Sequence, residues 1–242
     1  MEGEGPIEAE DMENIPDRFK MMPSVDQPSK ERWKQNWYTA FPPLNRESNK
    51  LGVLDYFGRE LVENLPEEIS VGVINVAIGG CSIDLFDKHK VEDYLANSPD
   101  WLKDIAGIYG SNPYKVLVDT ARKAQESGII KGILLHQGET NTGDENWPNN
   151  VKIIYDRLIN DLGLDANEVP LLVGELVNAD QGGACAAHNE IIAKVPDVIP
   201  NSYVISSSGL PSRGDGVHFS SPSYREFGRR YGRKMLEILN KN

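Results

Sequence analysis

Val71-Gly72-Val73-Ile74-Asn75-Val76-Ala77-Ile78-Gly79-Gly80-Cys81-Ser82 is an apolar, β-branched run that stops at paired glycines. From Val71 to Ile78 it is too short for a helix and has no polar face, so it reads as a strand covered on both sides. Three more runs of this kind follow, at Ile129 to Leu135, Val169 to Leu176 and Tyr203 to Ser207. The segments between them carry helical signals. Residues 51 to 64 place Leu54, Phe57, Leu61 and Leu65 at helical spacing, and Asn112-Pro113 caps a helix that runs through Val116, Leu117 and Ala121 to a stop at Gly128. Further helices are predicted from Trp147 to Leu162, closed by Gly163, from Asn189 to Val195, and from Pro222 to Leu239. Strands alternating with helices define an α/β fold with a parallel sheet between two helical layers. One domain is expected over residues 1 to 242, with the alternation occupying 51 to 242.

Residues 1 to 50 break this pattern. They are acidic and proline-spotted, with an apolar patch at Phe19 to Met22 and an aromatic group at Trp33, Trp37, Tyr38 and Phe41. An irregular segment is expected, either packing its aromatics on the body or covering a sugar as a lid, since flat rings offer apolar area to pyranose faces.

Composition narrows the partners. The chain has 242 residues, 39% hydrophobic content and a net charge of −12. Nucleic acid requires a basic footprint, so the charge argues against it and favours a neutral substrate. No apolar stretch reaches the length of a membrane span. The compartment is left open: an extracellular or periplasmic site would follow if a signal peptide preceded this sequence. Cys81 and Cys185 both sit in Gly-rich turns, and two thiols define neither a disulfide framework nor a metal site.

Three turns at the carboxyl ends of strands carry chemistry, which is where open α/β sheets place their ligands. In the first, Gly79 and Gly80 let backbone N–H groups approach an anion; the plainer reading is a tight turn. Ser82 lacks the strained strand-to-helix elbow of a nucleophile. The second is His136-Gln137-Gly138-Glu139-Thr140-Asn141. The Gln137 amide can aim N–H at a developing oxyanion, or can be an ordinary satisfied polar group. His136 reads as a strand-end histidine, and His89 and His188 as surface or loop residues. With no HExxH and no helical pair of histidines, His136, Glu139 and His218 do not make a metal site. The third turn is Gly214-Asp215-Gly216-Val217-His218-Phe219, where Asp215 can hold the His218 imidazole as a general base.

The ordered set IGGCSI, HQGETN and DGVHF resembles the SGNH hydrolases, in particular carbohydrate acetyl esterases of the sialate O-acetylesterase and acetylxylan esterase type. The resemblance implies a three-layer αβα, flavodoxin-like sheet. Its first strand would end in a Gly-Gln-Ser-Asn turn that carries the nucleophile. Met1-Glu2-Gly3 matches the tail of that turn, so the first strand and the serine are expected to be missing from the sequence as written. That loss would leave a slot between Val71 to Ile78 and Ile129 to Leu135. Asp215 and His218 take the positions of orienter and base, Gly79 or Gly80 and Gln137 those of oxyanion donors, and Glu139 that of a hydrogen-bonding support. The implied activity is removal of O-acetyl groups from a carbohydrate through a serine acyl-enzyme, with no cofactor. The alternative is an inactive, esterase-like glycan-binding or scaffold protein.

Overall fold

The computed structural model describes residues 2–240. The first fifty residues are more regular than their composition suggests. Phe19–Pro23 forms strand β1, which pairs antiparallel with the short β2 (Tyr38–Thr39) and parallel with β3 (Val71–Asn75). The register of the parallel pair runs from Phe19 opposite Val71 to Pro23 opposite Asn75. Outside these strands and two single 3-10 turns, residues 2–50 have little regular structure. Pro23 closes the strand at its last position, where a missing N–H costs least.

Helix α1 (Val53–Asn64) precedes β3; α2 (Val91–Ala96), α3 (Asp100–Ile108) and α4 (Pro113–Gln125) follow it. Asn112 caps α4 as its sequence predicts, its side chain accepting from the Lys115 amide. Strand β4 (Ile133–Leu135) leads to α5 (Trp147–Asp161), and β5 (Leu171–Gly174) to the short α6 (Asn189–Ile192) and α7 (Val195–Val198). Last come β6 (Ser202–Ile205) and α8 (Ser221–Leu239). Strands β4, β5 and β6 pair in parallel, with Ile133 opposite Leu171 and Leu171 opposite Ser202.

The interior explains why these strands have no polar face. On one side Val73, Leu134 and Leu172 join α1 and α8; on the other Ile133, Leu135, Leu171 and Val173 join α4 and α5. Three layers result. Helices α1 and α8 meet closely because Gly228 and Gly232 lie on α1: a methyl group at Gly232 would come within 3.2 Å of the Phe57 carbonyl. The acidic N-terminal segment is tied to the same helices, since Arg225 of α8 pairs with Glu10 at 2.7 Å and Asp11 at 2.8 Å.

The strands form two half-sheets, in the orders β2-β1-β3 and β4-β5-β6. β3 and β4 face each other across a cavity of about 1370 Å³, lined by consecutive residues of both segments, 69–81 and 127–137, and by side chains of the helices above and below. This is the slot expected between Val71 to Ile78 and Ile129 to Leu135. Trp37 lies at its far end, the ring packed on Gly72 and the indole N–H donating to Ser127 at 2.9 Å. Of the aromatic group around residues 33 to 41, Trp37 thus packs on the body at the amino end of β3, while Trp33 is 52% exposed.

Candidate active site

The Asp215–His218 pair is built by its own turn. Asp215 Oδ1 accepts from the amides of Val217 (2.9 Å) and His218 (2.8 Å), which folds the chain back and brings the imidazole to the carboxylate. Gly214 and Gly216, at φ +103° and +72°, make that reversal possible. His218 Nδ1 lies 2.8 Å from Asp215 Oδ2, and Arg213 Nε donates to the same oxygen at 2.7 Å. Partial burial alone would raise the Asp215 carboxyl, but the hydrogen bonds from Arg213, His218 and the two amides outweigh it and hold the group well below the usual carboxylate range. The carboxylate therefore stays ionised and fixes the proton on Nδ1. Nε2 has no hydrogen-bond partner among the described residues and is left free to accept one.

The two other turns adjoin one another. Gln137 Nε2 donates to the Cys81 carbonyl at 3.1 Å and to Asn141 Oδ1 at 2.8 Å, so the carboxyl ends of β3 and β4 meet at one mouth of the slot. Trp147 Nε1 donates to Gln137 Oε1 at 2.6 Å and fixes which way the amide faces. Asn141 also receives the Ile83 amide and donates to Ser82 Oγ, tying the turns together. Ser82 Oγ is occupied by Asn141 and by the Asp84 amide, a capping role. The amides of Gly79 and Gly80 have no protein acceptor among the described residues. Glu139 lines the same mouth, with Oε1 3.9 Å from His136 Nδ1.

His136 is buried between the edges of Phe219 and Phe227, with Nε2 3.2 Å from the Glu175 carbonyl. Burial pushes its pKa down from 6.5 to about 4. His188, read from sequence as a surface or loop residue, is instead fully buried against Trp147 and Gly138, and neither ring nitrogen has a partner among the described residues. Cys81 and Cys185 are free thiols, and burial raises Cys81 to about 12. Among the described residues no cluster of His, Cys, Asp and Glu is arranged to hold a metal, and no helix is long and apolar enough to cross a membrane.

Residues 2 to 4, where description of the chain starts, lie at this mouth. Glu2 pairs with the buried Arg46 and rests on Gly79, while Glu4 pairs with Arg213 at 3.2 Å, linking it to Asp215. Met1 lies outside the described residues. Sequence reasoning missed Arg213, Asn141 and Trp147. Arg213 stood two residues from Asp215 as a readable signal; the rest depend on contacts between separate elements.

Two half-sheets between helical layers, with the polar turns at the carboxyl ends of the strands, are the three-layer αβα architecture of SGNH hydrolases. The chain belongs to the carbohydrate esterase family described as sialic acid-specific acetylesterase, whose model matches residues 1–237. Solved structures share the fold at low identity. A protein of Arabidopsis thaliana is 19% identical with a TM-score of 0.70, covering 96% of this chain and 85% of its own. NanS is 16% identical with a TM-score of 0.66, covering 100% and 94%. A carbohydrate acetylesterase from Xanthomonas citri is 18% identical with a TM-score of 0.60, covering 93% of this chain and 50% of that one.

Proposed function

We propose that this site removes O-acetyl groups from a carbohydrate, with His218 as general base, Asp215 as its orienter, and a serine supplied at the end of a β-strand seated in the slot and running into Glu2. The observation that carries the reading is the 2.8 Å contact of His218 Nδ1 with an ionised Asp215 beside the mouth of a strand-wide slot. Membership of a carbohydrate esterase family supports the substrate class. The contacts of Glu2 with Gly79, and of Glu4 through Arg213 with Asp215, support an approach of that strand between the base and the paired glycines.

In the reaction His218 Nε2 takes the serine proton as Oγ bonds to the acetyl carbon. The free amides of Gly79 and Gly80 receive the developing oxyanion. Gln137 can join them by giving up its longer bond, to the Cys81 carbonyl. The C–O bond to the sugar then breaks, and His218 returns the proton to the departing hydroxyl. Water, deprotonated by the same nitrogen, releases acetate from the serine. Glu139 supports the Gln137 turn and has no covalent part.

The test compares the 242-residue chain with one extended by about 15–30 residues that end in Gly-Gln-Ser-Asn, the length of one strand with its turn and lead-in. The unextended chain should be inert toward aryl acetates and of low stability, and the extended one active and stable. Acetyl ester hydrolysis by the unextended chain that disappears in Ser82→Ala would move the nucleophile to Ser82. Sugar binding without turnover in the extended chain would favour a glycan-binding protein.

A further inference from the structure

The mouth of the site has an aromatic wall that its three motifs do not include. Trp101, on the first turn of α3, is 51% exposed, yet its ring lies so close over Gly80 that a methyl group there would come 2.9 Å from Cη2. Gly80 also holds φ +70°. The turn is thus shaped at once for a reversed backbone and for a ring against it. The helix carrying Trp101 is anchored, because Leu102 and Ala106 are buried with Val25, Ile78 and Cys81. The indole N–H has no hydrogen-bond partner among the described residues, and Ile105, one turn on, also lines the cavity. A half-exposed indole on a rigid helix, beside free backbone amides, offers what a pyranose requires: a flat apolar face and a donor at its edge. The rim carries Glu2, Glu4 and Glu139, with Asp215 behind His218, and the nearby arginines are engaged with these acids, Arg46 with Glu2 and Arg213 with Glu4 and Asp215. Acidic groups repel a carboxylate-bearing ligand and accept hydrogen bonds from neutral hydroxyls.

We propose that Trp101 is the stacking platform for the ring of a neutral O-acetylated pyranose, holding its acetyl group toward the Gly79-Gly80 amides. The inference rests on the esterase reading for the use made of the bound sugar, but its test is binding. The 242-residue chain is titrated with acetylated xylobiose, and saturation transfer to the sugar ring protons is followed by NMR. Binding should weaken about tenfold or more in Trp101→Ala. Trp101→Leu keeps apolar cover on Gly80 without a ring face, which separates stacking from folding, and it should weaken binding similarly. Binding by Trp101→Leu within about twofold of the parent, or no binding by the parent, would overturn the proposal. Aryl acetate hydrolysis by the strand-extended chain reports separately: loss of turnover with binding intact removes the esterase reading, and turnover without ring stacking removes only the role of Trp101.

Discussion

Trp147 and Gln137 are joined by a 2.6 Å hydrogen bond from the indole N–H to the amide oxygen, which leaves the Gln137 NH2 facing the turn after β3. The amide is thereby prevented from flipping, and a donor is presented where an acceptor would be useless to an oxyanion. Trp147→Phe removes the N–H while keeping a ring. It should cost about 1–3 kcal/mol in urea unfolding, because a partly buried carbonyl loses its partner, and should lower kcat of the strand-extended enzyme more than it changes KM. Unchanged stability and turnover would mean the amide holds its orientation without Trp147.

Gln137→Ala distinguishes two jobs. Loss of an oxyanion donor typically costs about 2.7–4 kcal/mol of transition-state stabilisation, so kcat should drop about 10²- to 10³-fold with KM little changed. Since both amide protons also staple neighbouring groups, a variant that is less stable but nearly as fast would assign Gln137 to structure alone.

His218→Ala in the extended enzyme should slow acetate release about 10²–10⁴-fold, the usual range for a positioned base. The melting temperature should hold, because the His218 side chain is 41% exposed. Asp215→Asn should also slow the reaction, by losing the Nδ1–H tautomer. Near-normal turnover in His218→Ala would remove it from the mechanism.

The imidazole of His136 should titrate near pH 4, in contrast to the ordinary 6.5, when its ring protons are followed by NMR. An unfolded chain takes up this proton near 6.5 and the folded one only near 4. The neutral ring therefore contributes stability above that window, and the contribution is lost as pH falls from about 6.5 to about 4. Buried Asp55, raised to about 6, acts in the opposite sense over part of the range, so a melting curve would mix the two and the ring resonance is the cleaner readout.

The strands after Val71 were legible because both their faces meet helices, which leaves an apolar run with no alternation. β1 was not: Lys20 and Pro23 interrupt its pattern, and its place beside β3 depends on a partner far along the chain. Helix α3 was missed although Trp101, Leu102, Ile105 and Ala106 stand at helical spacing. In the site, Asp215 and His218 were readable because a local turn brings them together. Trp147, Asn141 and Trp101 act across gaps between elements, which spacing alone does not encode. His188 was misjudged because burial there is set by the packing of Trp147 and Gly138, both remote from its own segment.

The close seating of α8 on α1 has a consequence for synthesis. α1 covers the half-sheet that contains β1 and β3, yet the helix packed along its side in the same layer is residues 221–239. As the chain leaves the ribosome, the apolar side of Tyr56, Phe57 and Leu61 stays uncovered through the making of β4, β5 and β6. The early half of the protein must wait for the late half. A ribosome stalled short of Gly228 should therefore carry a nascent chain that chaperones hold and proteases cut, and one stalled after α8 has emerged should not.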